Sequence, residues 1–319
     1  MLLHRGINLG GYLSQCNHSF THYETFITED DIARIAKAGF DHVRLPIDYN
    51  VPEDEDGREN FTGYTLIDRV VDWCGHYGLD LILDLHKAYG YDFNDAGNSE
   101  KNNLFHSEVL QLRFLTLWKR LAARYGHFNH VAFELLNEVV EGENAAAWNG
   151  LIGRAVKEIR HFAPTTPIIY GGIQWNNINS ILLLDPPQDE NIIWTFHFYS
   201  PMPFTHQKAP WCPQLDQHLT THYPNVGEAW TMEYTREMLR EGVECAAAKG
   251  VPLYCGEFGV IDKAPLPDTL RWFQDVDCVF REYGIGCSVW TYKSMNFGIF
   301  GKEREPIRED LIRLWMGKE

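Results

Sequence analysis

The chain has 319 residues, 45% of them hydrophobic, which is enough for one large barrel or two ordinary domains around a sizeable core. Its 44 acidic and 28 basic side chains leave a formal net charge of -16, which argues against nucleic acid and anionic membranes, whose affinity rests on a basic face. A neutral ligand such as a glycan stays open, and 10 tryptophans supply rings for the core, for stacking on sugar faces, or for both.

The first strand is expected over residues 4–9, broken by Gly10-Gly11. Thr28-Glu29-Asp30-Asp31 starts a helix, with Thr28 as N-cap and acids in the first turn. Ile32, Ile35 and Ala36 share one face of it, and Gly39 stops it. Asp41 to Pro46 reads as the second strand, closed by Pro46. Tyr64 to Tyr77 is helical in period, with Ile67, Val70, Val71 and Cys74 inward. Leu79 to Leu85 is a third strand ending in His86, and an amphipathic helix over about 106–125 follows a polar loop. The run from His130 to Val139 begins as a short apolar strand and ends in Asn137-Glu138.

Beyond it come a helix over 144–162, a strand from Pro167 to Tyr170, a short helix over 176–184 and a sixth strand from Asn191 to His197. Residues 200–230 form a long excursion with five prolines and Trp211, and loops of this length are usually functional. Helix 232–249, strand 251–256, helix 267–283, strand 286–290 and a last helix near 306–316 complete the chain. Strand and helix alternate about eight times in units of roughly 40 residues, the pattern of right-handed βαβ units. Without a linker or low-complexity tract, this predicts a single (β/α)8 TIM barrel over 1–319, an α/β fold, with 200–230 beside the cleft.

Active sites of such barrels lie at the C-terminal ends of the strands. Collected there are Arg44, His86, Asn137-Glu138, His197 with Tyr199, Glu257 and Trp290. Each has a bland reading, as an ion pair, a core histidine or packing, but their gathering on one rim favours a shared site. Two carboxylates facing each other suit glycosidic cleavage, where one protonates the leaving oxygen and the other attacks or stabilises the sugar. Glu138 is the candidate acid, kept protonated by apolar surroundings, and Glu257 the candidate nucleophile, held by Arg44 and Tyr199. His197 is placed to bond Glu138, Asn137 to bind a sugar 2-hydroxyl, and Trp290 to floor the subsite. Trp175 and Trp211 are further candidates for sugar contact.

Gly6-Ile7-Asn8-Leu9-Gly10-Gly11, Val43-Arg44-Leu45-Pro46, Leu83-Asp84-Leu85-His86, Leu136-Asn137-Glu138, Phe196-His197-Phe198-Tyr199 and Cys255-Gly256-Glu257-Phe258-Gly259 together resemble glycoside hydrolase family 5 of clan A. Within it the match is to the bacterial endoglucanase C type, which Phe26-Ile27-Thr28-Glu29, Phe204 to Ala209 and Trp290-Thr291-Tyr292-Lys293 also resemble. The resemblance spans essentially the whole chain and implies a retaining endo-β-1,4-glucanase acting on cellulose-like and mixed-linkage β-glucans. It implies Glu138 as acid/base and Glu257 as nucleophile, with Arg44, His86, Asn137, His197, Tyr199 and Trp290 in support. Lys87 stands where many relatives have His, Tyr12 where Trp is frequent, and the stretch from His197 to Glu257 is shorter than in that type.

A β-mannanase or exo-glucosidase on the same scaffold differs by a few subsite contacts. A non-catalytic binding barrel would normally have lost one carboxylate. A metal-dependent hydrolase needs clustered ligands; Asp84, His86 and His197 come nearest, but it would leave both glutamates without a role. No metal, cofactor, nucleic acid or membrane is therefore expected, and the partner of a monomeric chain is a β-glucan. His18 and His22, four apart without a third ligand, read as surface or cleft-edge residues. The seven scattered cysteines, with no Cys-x-x-Cys, read as free thiols. The opening Met1-Leu2-Leu3-His4-Arg5 has no leader-like apolar run, so the protein is expected inside the cell or secreted with a signal already removed.

Overall fold

Eight strands pair in parallel and in sequence order, and the first closes on the last. The structure, a computed structural model, describes residue 1, residues 3–300 and residues 309–313. The strands are β1 (Arg5–Asn8), β2 (His42–Asp48), β3 (Asp80–Lys87), β4 (Val131–Glu134), β5 (Ile168–Gly171), β6 (Ile192–Phe198), β7 (Leu253–Phe258) and β8 (Gly286–Val289). Around them run α1 (Phe20–Thr25), α2 (Glu29–Ala38), α3 (Phe61–Tyr77), α4 (Glu108–Tyr125), α5 (Ala145–Arg160), α6 (Met202–Thr205), α7 (Met232–Lys249) and α8 (Leu266–Tyr283). This is the predicted TIM barrel. Of the last expected helix, 309–313 is helical and the rest lies outside the described residues. All seven cysteines are free thiols.

The local signals act as read. Asp31 accepts from the Thr28 N–H at 2.9 Å, closing the start of α2, and Gly39 ends it at φ +96°. Ile67, Val70, Val71 and Cys74 are buried beneath α3. The Ser107 hydroxyl caps α4 by accepting from Leu110 N–H. Two strand ends differ from expectation. Pro46 does not close β2, which continues to Asp48; Pro46 pairs with Asp84, so Arg44 lies inside the strand. β4 ends at Glu134, and Asn137-Glu138 follow in irregular backbone above it. Residues 200–230 carry the short helix α6 and an antiparallel bridge between Asn225 and Trp230.

Side chains alternate between two cores. Leu81, Leu83 and Leu85 pack outward in the main apolar core, while Ile82, Ala132, Ile169 and Tyr254 form a separate small cluster. The inward positions above it are polar: Asn8, Arg44, Asp84 and Glu134 are fully buried. One irregularity decides the site. β6 pairs Phe196 with Cys255 but His197 with Glu257, leaving Gly256 as an extra residue in β7. A strict period of two would send Tyr254 and Gly256 inward and Glu257 outward; the bulge turns Glu257 into the barrel mouth. A Cβ on Gly256 would stand 2.9 Å from Thr195 Oγ1 and 3.2 Å from His197 Nε2, so only glycine fits there without displacing them.

The first turn of α3 rests on the loop after β2 equally closely: a Cβ on Gly63 would lie 1.7 Å from the Val51 carbonyl oxygen. Gly63→Ala should therefore destabilise the fold by about 2 kcal/mol despite alanine's better helix propensity. A lowered urea midpoint is the expected result, and an unchanged one would show that the contact yields freely.

Candidate active site

Arg44 rises from β2 into the centre of the barrel, and all five of its N–H groups are used. Nε and one terminal nitrogen grip Glu134 at 2.7 and 2.8 Å. The others donate to Asn8 Oδ1, Asn137 Oδ1 and Glu257 Oε1, each at 2.9 Å. Asp84 approaches the same guanidinium at 3.1 Å. Three carboxylates around one cation, all away from water, cannot all keep their charge cheaply. Burial pushes Asp84 up to about 7 and raises Glu134.

Glu257 receives a second donor, the Tyr199 hydroxyl at 3.0 Å on its other oxygen. The two donors fix both carboxylate oxygens in place. Burial and the adjacent carboxylates hold the Tyr199 phenol far above its ordinary range, so it stays a neutral donor. Glu138 lies differently. Burial pushes it up to about 7, and its bonded partner is His197 Nδ1 at 2.7 Å. Burial also lowers His197 to about 4, which makes it a neutral imidazole at ordinary pH. Its Nε2 is buried with no hydrogen-bond partner. A bare lone pair there costs less than a stranded N–H, which puts the ring proton on Nδ1. That proton is donated to Glu138 Oε1, so an acidic proton on Glu138 belongs on Oε2.

His86 is built in the same way. Gln15 Nε2 lies 3.2 Å from its Nε2 and Asp84 Oδ2 2.7 Å from its Nδ1. The amide donates to the first nitrogen, leaving the second to donate to Asp84. Burial lowers its basicity, and its ring lies parallel to Trp290 at 5.7 Å between centroids. Trp290 itself is buried against Gly10, where a Cβ would come within 2.9 Å of the indole. That contact accounts for a glycine at the end of the first strand.

Eight of the predicted residues thus meet in one cluster. Trp175, half exposed, sits beside it on an unusual turn: Gln174, Trp175 and Asn176 all have left-handed backbone, at φ +55°, +62° and +53°. Such conformations cost about 1–3 kcal/mol each outside glycine, and here they are pinned. Trp175 N–H donates to Val139 O, Asn176 Nδ2 to Asn137 O, and His197 N–H to Asn176 O. The turn is fastened on both sides of Glu138. Trp211, also half exposed, lies on the 200–230 excursion, and among the described residues no ring contact or hydrogen bond joins it to the cluster. Of the surface or cleft-edge reading, His18 takes the cleft edge: part buried, it bridges Tyr23 and Asp48 at the rim. Glu134, Asn8 and Gln15 were not singled out from the sequence, and Asp84 only as a metal ligand. An acid two residues along from another inward position, within an apolar strand, is the signal that would have marked Glu134.

For a metal, Glu138, His197 and Glu257 offer ligand atoms within 4.8 Å of one another. Glu138 is already bonded to His197 Nδ1, and Glu257 to Arg44 and Tyr199, so an ion there would compete with these bonds.

A parallel eight-stranded barrel with two unlike carboxylates across its mouth is the machinery of a glycoside hydrolase. The family model for cellulases, glycosyl hydrolase family 5, matches residues 6–296. Endoglucanase C of Acetivibrio thermocellus is 40% identical over 97% of this chain and 96% of its own. Cellodextrinase A of Ruminococcus flavefaciens is also 40% identical, over 90% of this chain and 86% of its own. Among solved structures, Cel5A of Thermotoga maritima in complex with cellobiose superposes with a TM-score of 0.84 at 27% identity, covering 98% of this chain and 97% of that one. The chain belongs to glycoside hydrolase family 5.

Arg44→Lys keeps the charge but loses the planar fork that serves Glu134, Asn8, Asn137 and Glu257 together. Catalytic efficiency on a β-glucan should fall by about two orders of magnitude or more, and stability by about 3 kcal/mol as buried carboxylates lose their partner. Steady-state kinetics with denaturant titration checks both; a near-wild-type enzyme would refute the central role of the guanidinium.

Proposed function

We propose that this chain is a retaining endo-β-1,4-glucanase acting on cellulose-like and mixed-linkage β-glucans. The observation that carries the reading is the pair Glu138 and Glu257, with oxygens within 4.8 Å of each other and opposite surroundings. This separation supports double displacement, because an inverting pair needs about 6.5–9.5 Å to admit a water. In the proposed course, Glu257 attacks the anomeric carbon while Glu138 gives its proton to the glycosidic oxygen. The bond to the leaving chain breaks, and that chain departs as an alcohol. Glu138, now a carboxylate, takes a proton from water as the water attacks the glycosyl ester and frees Glu257.

The surrounding residues support each part. Arg44 and Tyr199 hold Glu257 by two donors and fix its aim. His197, neutral, orients Glu138 without competing for its proton. Asn137, its oxygen held by Arg44, keeps its amide N–H groups for the sugar 2-hydroxyl, a contact that strengthens in the transition state. Trp290, backed by His86, offers the floor for the attacked sugar, and Trp175 a platform on the leaving-group side. A preference for short chains is the second reading, favoured by the equal likeness to a cellodextrinase. A mannan preference is favoured by Cel5A, which has also been solved in complex with mannotriose.

Carboxymethylcellulose, barley β-glucan, mannan and xylan as a panel, with product sizes, separate these. Random shortening of the first two is expected; release of single sugars alone would sink the endo assignment. Activity should be unchanged by a chelator. Glu257→Ala should abolish hydrolysis, and azide should then yield a glycosyl azide of inverted configuration. Near-normal activity of that variant would make the nucleophile assignment wrong.

The acid also sets the pH profile. Glu138 loses its proton above about pH 7, so kcat/KM should fall on the alkaline side with a midpoint near that value. His197, pushed down to about 4, is neutral throughout that range and cannot produce this limb. With an aryl cellobioside bearing a good leaving group, which needs no proton, Glu138→Gln should flatten it. A limb that survives unchanged would belong to another group.

A further inference from the structure

Outside the catalytic cluster, α1 and the first turns of α3 enclose a groove of about 270 Å³. Phe20 and Phe61 flank it, 77% and 72% exposed. Rings this exposed gain nothing from the core, and two of them beside one groove mark a binding surface. Thr62 and Thr65 add hydroxyls, and its charged members are Glu24 and Arg69, paired at 2.6 Å and both part exposed. That pair uses one of the five guanidinium N–H groups; among the described residues the others have no acceptor. Flat apolar rings beside a few fixed polar groups suit a ligand with apolar faces and hydroxyl edges, which is a pyranose chain.

The place of the groove in the fold supports the same ligand. α1 lies in the loop after β1, and α3 begins where the chain leaves the top of β2, so both stand on the catalytic rim. A chain of side-chain contacts links the groove to the cleft. Tyr23 lines the groove and bonds His18 at 2.7 Å; His18 meets Asp48 at 3.5 Å. Asp48 accepts from Gln15 N–H, whose side chain reaches His86 and thereby Trp290. On the proposed mechanism Trp290 floors the retained sugar, so these contacts reach that part of the cleft.

We infer that the Phe20–Phe61 groove binds the non-reducing-end part of the β-glucan chain whose other end lies in the cleft. The inference rests on the glucanase reading above. Its test compares wild type with a Phe20→Ala/Phe61→Ala double variant on a short aryl cellobioside, on cello-oligosaccharides of increasing length and on barley β-glucan. The expected result is an unchanged rate on the short substrate, with KM for the longest chains raised about 5-fold and kcat preserved. Phe20→Trp/Phe61→Trp should restore the low KM. Equal kinetics at every length would overturn the inference. So would a loss of the same size at every length, since the rings would then serve the fold or the cleft itself. A wild-type dimer lost in the double variant, without any change on glucan, would assign the groove to a second copy instead. If wild type cleaves no β-glucan at all, the glucanase reading fails by itself. Retardation in a native gel containing β-glucan still reads the groove in that case: wild type slowed more than the double variant supports it, and equal migration overturns it.

Discussion

A cation fixed at the centre of the barrel organises everything above it. Burying a guanidinium is costly, and the cost is offset because five N–H groups find five acceptor oxygens on four residues of β1, β4 with the segment after it, and β7. Glu134 supplies the bidentate grip that sets the plane of the fork. With that plane set, Asn8, Asn137 and Glu257 are constrained together, because each takes an N–H whose direction is no longer free. Asn8 passes the constraint on through its own amide, which donates to Gly256 O at 3.0 Å and Val289 O at 3.1 Å. The bulge that aims Glu257 and the seam that closes the barrel are therefore tied to one side chain of β2.

The same network separates the two glutamates. Both are buried, but their partners differ. Glu257 is bonded by a cation and a phenol. Glu138, four residues past the end of β4, lies beyond the fork, and its neighbour is an imidazole that burial has discharged. The difference comes from position: the residue touching Arg44 on that segment is Asn137, a neutral acceptor, with Glu138 next in the chain. On the proposed mechanism, exchanging the two would place the acid on the cation and remove its proton.

Much of this was legible in the sequence, for reasons that can be separated. Alternating apolar strands and amphipathic helices gave the barrel, because each buried face must find a partner. Polar residues at strand ends pointed to the rim, and eight of them do meet there. Pro46 reads as a terminator and so puts Arg44 near a strand end, yet a parallel barrel strand runs through a proline without needing its N–H at every position. The length of the arginine side chain, not the end of the strand, delivers its charge to the site. Glu134 escaped notice because an acid inside an apolar run reads as tolerated rather than required; only the facing strand reveals its partner. The inward aim of Glu257 was right for a reason the pattern does not contain, since period-two alternation from Tyr254 predicts the opposite face. The left-handed turn at 174–176 has no glycine to announce it, and its geometry is imposed by bonds to Asn137, Val139 and His197.

Those features make the two ends of the cleft physically unlike. On the side of Glu138, Trp175 is held on strained backbone whose hydrogen bonds bracket the acid. If Trp175 takes the sugar as proposed, a ring fixed there loses little entropy on stacking, and the hydrogen bonds of its turn run to Asn137 and Val139 on either side of Glu138. On the other side, Phe20 and Phe61 project from helices and are linked to the centre through Tyr23, His18, Asp48, Gln15 and His86. A contact there can add affinity for a long chain while leaving the geometry of the two carboxylates alone. Binding energy on the Trp175 side can be expressed in the transition state, and binding energy on the far side only in holding the chain. Catalysis and chain-length preference can therefore vary separately on this barrel, because the rigid contacts lie next to the acid and the exposed rings lie away from it.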